Sequence, residues 1–364
     1  MKKRFDRAYL HIGMGKTGST SIQQVFWANA ERLESNHGIH YPKVSVHPNP
    51  RGQLGNHSEP LLCMFHPNPE SLRRNILIGN DTAAKAQNFA SELRASFELG
   101  FQKSNARELL LSAEGIPTYT ARAVWNLAKW LSHWCEEIRL VACLRHPADA
   151  LSSQIQQRVN VGISLEEMYQ DPPFYPYAGL LPRLEKSFFD RKIHIYDFAE
   201  AVEDDSGLAN RLLREIGCDF ELPKPESGEA NTSMSQVATQ LLDSLNRQYP
   251  LIVDGKRNPA RNGVELKWCR QMPGQKYRAP DNVYAALEER SAHDLQWIAD
   301  NYKVKLRSRD RADKTSVALD PKQIDRLVRM LHRLSRCPSF VHHTISKWSG
   351  DSILGRFFLG RKSK

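Results

Sequence analysis

Eight residues near the start of the chain, Gly13-Met14-Gly15-Lys16-Thr17-Gly18-Ser19-Thr20, have the composition of an anion site. Small residues let a backbone wrap closely, so that several N–H groups point at one anion. A helix starting there adds its partial positive charge. Lys16 supplies a mobile cation, and Thr17, Ser19 and Thr20 supply hydroxyl donors. Two further groups sit just past apolar runs: Glu114 after residues 108–112, and Arg145 after residues 137–144. Ligands of open α/β sheets bind outside the carboxyl ends of the strands, so both would be presented where chemistry happens. A planar guanidinium suits a phosphate better than an ammonium does. Each group also has a plain structural reading: a ligand-free turn for the loop, a cap or ion pair for Glu114, a surface salt bridge for Arg145.

A Walker A loop needs Gly, four residues, then Gly-Lys-Ser or Gly-Lys-Thr. Gly15-Lys16-Thr17 supplies the end, but the position five before Gly15 is Leu10. A leucine does not turn a chain out of a strand as glycine does, and the lysine comes too early in the loop. The spacing therefore speaks against a nucleoside triphosphatase or kinase, which stays as the rival reading.

These groups need elements to hold them. Residues 8–12, 108–112, 137–144 and 192–198 read as strands, the middle two as buried parallel ones. Helices are expected over 21–27, 81–99, 120–134, 180–189, 207–216, 236–246, 284–302 and 321–336. Strands alternating with helices predict an α/β fold with a central parallel sheet flanked by helices. In the helix over 120–134, Val124, Leu127, Ala128, Leu131 and Trp134 share one face and should pack into the core. Residues 36–80 are rich in Pro, Asn and His with weak periodicity. His37, His40, His47, His57 and His66 lack metal-ligand spacing and read as loop and surface residues. The stretch 251–280 is polar and reads as an exposed loop.

The loop resembles the 5′-phosphosulfate-binding loop of sulfotransferases that use 3′-phosphoadenosine-5′-phosphosulfate (PAPS). That loop commonly reads Pro-Lys-Thr-Gly-Thr-Thr, and this chain reads Gly15-Lys16-Thr17-Gly18-Ser19-Thr20. Gly15 departs from the proline and loosens its fixed φ, while Ser19 keeps the hydroxyl. Arg145 with Ser153 eight residues on is similar to the 3′-phosphate-binding element of the same enzymes; apart from the resemblance, Ser153 is a helix-surface hydroxyl. The resemblance implies that Glu114, just past a strand, takes the acceptor's proton, and that Lys16 neutralises charge on the leaving oxygen. Ser112 stands where cytosolic members carry a second lysine. The chain order and the segment Asn231-Thr232-Ser233-Met234-Ser235 are similar to bacterial carbohydrate-modifying sulfotransferases. Tyr175 and Tyr177 would line the acceptor site or pack a turn. The fold implied is the P-loop NTPase-like sulfotransferase fold over 1–305, followed by a basic helical C-terminal extension over 306–364. PAPS is the donor implied, with no metal, and a glycan or small-molecule acceptor.

The chain has 364 residues and a net charge of +10. Residues 301–364 hold 16 Lys+Arg against 5 Asp+Glu, so the excess lies at the C-terminal end. Phe357-Phe358-Leu359-Gly360-Arg361-Lys362-Ser363-Lys364 is apolar and then basic, a composition for peripheral membrane or polyanion contact. A non-enzymatic polyanion binder is thus a second rival; no nucleic-acid motif accompanies the charge, and no nucleic-acid partner is expected. Lys347-Trp348-Ser349-Gly350-Asp351 shares letters, but not order, with the element that closes over the 3′-phosphate in cytosolic sulfotransferases. No signal peptide or membrane span is read. Six cysteines are scattered without a C-x-x-C pairing, which reads as reduced and cytoplasmic.

Overall fold

Alternation along the strands sets the architecture. The computed structural model describes residues 2–45, 54–223, 233–308 and 320–336. Its main sheet has β1 (Phe5–His11), β2 (Ile39–His40), β3 (Glu108–Ser112), β4 (Cys135–Leu144) and β5 (Ile193–Asp197). All neighbours are parallel, in the order β2-β3-β1-β4-β5. Ala8, Leu10, Leu109, Leu111, Leu140 and Ala142 face one core, while Tyr9, Leu110, Val141 and Cys143 face another. Burial on both faces is why these strands read as continuous apolar runs. The protein is thus an α/β fold with helices on both faces of a parallel sheet.

The described residues fall into two compact units. The first is drawn from Met1–Gln154, Pro172–Thr232 and Ala279–Asp313 and contains the sheet. On one face, the helix Ser19–Ala28 buries Ile22, Val25 and Phe26 beside Leu212 and Leu213 of the helix Leu208–Glu215. Each such side chain contributes roughly 1.5–3 kcal/mol on leaving water. The helices Ala83–Lys103, Ala121–Trp134 and Tyr177–Ser187 cover the other face. Thr82 and Thr120 cap the first two of these by accepting from Lys85 N and Ala123 N. Val124, Leu127, Ala128 and Leu131 are buried as the helical spacing requires, and Trp134 packs half-buried beside them.

Strand order matters for the site. From β1 the chain crosses to β2 and β3 on one side; from β4 it goes to β5 on the other. The adjacent carboxyl ends of β1 and β4 therefore form the place where a crevice opens in such sheets. Past β1 the backbone stays tied to β4: Ile12 N donates to Val141 O at 3.0 Å and Met14 N to Cys143 O at 2.7 Å.

The second unit is drawn from Ile155–Asp171, Ser233–Arg278 and the helix Pro321–Ser335. Its helix Gln236–Gln248, capped by Ser235, packs against Pro321–Ser335 and against Val264–Arg270. The stretch 251–280 is exposed over much of its length, as its polarity predicts, but it is not a plain loop. It holds a two-stranded hairpin, β6 (Ile252–Val253) and β7 (Lys256–Arg257), and the helix Val264–Arg270. One polar pair lies inside: buried Arg261 donates to Glu265 Oε1 at 2.7 Å and to Tyr249 O at 2.7 Å. In Pro321–Ser335, Ile324, Val328 and Leu331 are buried while Arg326, Arg329 and Arg333 are exposed. His47, Asn231, Thr232, Cys337, the 347–351 element and the terminal 357–364 run lie outside the described residues.

Candidate anion-binding site

The loop leaving β1 is shaped for an anion. Lys16 and Gly18 have positive φ, 71° and 75°, and Thr17 between them does not. Such alternation turns successive N–H groups toward one point. Gly18 is the N-cap of Ser19–Ala28, and no side chain caps that helix. Among the described residues no acceptor meets the backbone N–H groups of Lys16, Thr17, Gly18, Ser19 or Thr20. They supply orphan donors and the positive end of the helix dipole. A left-handed lysine costs about 1–2 kcal/mol, so the loop holds Lys16 there against its preference. Buried Thr17 is committed elsewhere, since its hydroxyl donates to Met14 O at 2.6 Å and closes the turn.

Glu114 stands beside this loop, past the end of β3. A Cβ on Gly13 would lie 3.0 Å from Glu114 Cα, so Gly13 allows the two strand ends their close approach. Ser19 Oγ donates to Glu114 Oε2, and Asn56 Nδ2 reaches Oε1 at 3.5 Å. Burial raises the Glu114 carboxyl above its ordinary value, with the Ser19 bond and the nearby Lys16 charge opposing the rise. Burial likewise lowers the Lys16 ammonium; Glu114 opposes the shift and Arg145 adds to it. The two charges feel each other, yet desolvation dominates both, as in a site drier than the surface.

Arg145 and Ser153 are placed differently. Arg145 Nη1 donates to Lys16 O at 2.9 Å, so the guanidinium braces the loop. Its Cζ lies 4.9 Å from the centroid of the Phe198 ring, and the Arg145 carbonyl accepts from Tyr177 Oη at 2.9 Å. Ser153 sits two turns into the helix Pro147–Asn160 and donates to Ala150 O of that helix at 2.8 Å. The structure thus gathers Gly15, Lys16, Thr17, Gly18, Ser19, Thr20, Glu114 and Arg145 around one loop, with Ser153 turned into its own helix.

Beneath Glu114 lies a buried polar cluster. Ser112 Oγ meets His11 Nδ1 at 2.9 Å and accepts from Gln23 Nε2 at 3.2 Å. His57 Nδ1 accepts from Ser112 N, and His57 Nε2 donates to Pro42 O at 2.8 Å. Burial pushes both His11 and His57 down to about 4, so both are neutral near pH 7. His57 is not a surface residue as its loop setting suggests: it is fully buried, and its two ring nitrogens join β3 to the segment around Pro42. Ser112 is also fully buried. Asn56 at Glu114 and the tip of Tyr175 at the loop give no sequence signal as loop neighbours, since neither lies in a periodic segment. Among the described residues no three His, Cys, Asp or Glu side chains gather as metal ligands. No described helix is long and apolar enough to cross a membrane.

No family model matches the chain, and no curated protein matches it. Solved structures similar to it include two sulfotransferases. A sulfotransferase from Alicyclobacillus acidocaldarius shares 13% identity at a TM-score of 0.37, over 65% of this chain and 91% of that one. The sulfotransferase domain from the curacin biosynthetic pathway shares 12% at a TM-score of 0.35, over 83% of this chain and 99% of that one. At such scores the likeness carries no weight for function, which has to be argued from the residues.

Proposed function

We propose that the chain is a sulfotransferase that moves a sulfuryl group from PAPS to a hydroxyl or amine of a glycan or related metabolite. The observation that carries this reading is one loop with alternating φ and orphan N–H groups, holding Lys16, with the Glu114 carboxylate hydrogen-bonded to its Ser19. The donor, when bound, supplies an activated sulfuryl group. The N–H groups of Lys16 to Thr20 would hold its 5′-phosphosulfate end. Arg145 would hold the 3′-phosphate after giving up part of its grip on Lys16 O, with Ser153 a minor contributor while its hydroxyl stays on Ala150 O. Glu114 is suited to accept the acceptor's proton, because burial raises its proton affinity toward the working range of a general base. Lys16 would meet the charge that develops on the leaving oxygen, a preorganised electrostatic role.

Ser19 has one proton to give. While it bonds Glu114 it cannot also donate to a phosphate. Once Glu114 is protonated, the carboxylic acid can donate to Ser19 Oγ and free the Ser19 hydroxyl for the leaving group. Proton uptake by the base would then strengthen the hold on the departing charge.

A P-loop kinase would need Walker spacing and Mg²⁺ held beside the loop; Leu10 and the position of Lys16 argue against it. The polyanion reading rests on the C-terminal charge, about half of which lies outside the described residues. The five described cysteines are free thiols, four of them buried, which suits a reducing cytoplasm. The test is incubation with sulfur-labelled PAPS and a panel of glycan and small hydroxylated acceptors. Label transferred by the unaltered chain and lost in Glu114→Gln supports the reading. Full transfer by Glu114→Gln refutes the base assignment.

A further inference from the structure

We infer that the Tyr175 hydroxyl is a further donor to the anion held by the loop after β1, and that position 15 is glycine in order to admit it. This rests on the sulfotransferase reading. A Cβ on Gly15 would lie 2.7 Å from Tyr175 Oη, closer than a side-chain carbon and an oxygen approach. The hydroxyl therefore fills the space beside the loop backbone that a proline ring or an alanine methyl would take.

The ring is anchored. Tyr175 packs half-buried on the large core, its centroid 6.5 Å from that of Tyr177 with planes 25° apart. Buried Tyr177 donates to Arg145 O at 2.9 Å. The aromatic turn is thus tied to the end of β4 while its tip meets the loop from β1. A phenolic O–H that meets the loop at Gly15 can share a phosphoryl or sulfuryl oxygen with the N–H groups that follow. It adds a directed hydrogen bond without adding charge to a site that already holds Lys16 and Arg145.

Tyr175→Phe keeps the ring packing and removes only the hydroxyl. Calorimetric titration of the full chain with 3′-phosphoadenosine-5′-phosphate and with PAPS should show affinity reduced about tenfold or more, as for a lost bond to a charged group, with thermal stability unchanged. Gly15→Ala, which displaces the tip, should lose a similar factor. The double variant should lose no more than either alone. Should Tyr175→Phe fail to fold, Gly15→Ala carries the test, and unchanged affinity there overturns the assignment. Binding by Tyr175→Phe as tight as that of the unaltered chain also overturns it, with the sulfotransferase reading left standing. Absence of binding by the unaltered, folded chain overturns both.

Discussion

The ends of β1 and β4 carry the two halves of one expected phosphate clamp, yet they are built differently. After β1, backbone donors are left open: φ alternates from Lys16 to Gly18 and the helix start at Ser19 is uncapped. After β4, each of the two residues already has one donor engaged within the protein. Arg145 Nη1 is on Lys16 O and Ser153 Oγ is on Ala150 O. One end is preorganised for a ligand; the other acts first as a brace for that end. A residue type at the right spacing therefore identifies a neighbourhood, and the hydrogen bonds decide which group is ready.

The largest effect falls on the β1 side. Glu114→Gln should lower turnover of PAPS by about a hundred- to ten-thousandfold while the bisphosphate still binds, measured as nucleotide release with binding checked separately. Lys16→Met should cost about a hundredfold or more in the same assay. Equal damage from both substitutions to binding alone would place them in a binding role only.

Next comes the buried cluster that supports this side. His11 and His57 are held at about 4 against about 6.5 when unfolded. The unfolded chain thus binds more protons between those values, and stability falls as pH drops from about 6.5 to 4. Each histidine accounts for on the order of 3 kcal/mol of that fall. Denaturant melts of His57→Gln across this range should show a flatter pH dependence than those of the unaltered chain. An identical slope would mean that the cluster admits water.

On the β4 side, Arg145→Ala should weaken bisphosphate binding about ten- to a hundredfold, through the loop as well as through the ligand. The smallest change is expected from Ser153→Ala, within about threefold, because its hydroxyl already has a partner in its own helix. A Ser153 loss as large as that of Arg145 would break the contrast and make the second end a formed subsite.

Much of this is legible in the order of the residues alone. Glu108–Ser112 is readable as β3 because a strand covered on both faces must be apolar throughout. The loop is readable because glycine and short hydroxyl residues at a strand-to-helix turn have few other uses. What stays hidden depends on partners far along the chain. His57 looks like any loop histidine until Pro42 and Ser112 close on its ring. Arg261 and Glu265 look solvated until they pair inside the second unit. Gly15 reads as a loss of stiffness until Tyr175 arrives beside it.

The central claim, that the loop after β1 is the donor site, is tested most directly by calorimetric titration of the full chain with 3′-phosphoadenosine-5′-phosphate, in parallel with ATP, without added metal. The account predicts tight binding of the bisphosphate, weak binding of ATP, and a hold on the former weakened about ten- to a hundredfold in Arg145→Ala. A folded chain that ignores the bisphosphate, or that binds ATP better once Mg²⁺ is supplied, would contradict it.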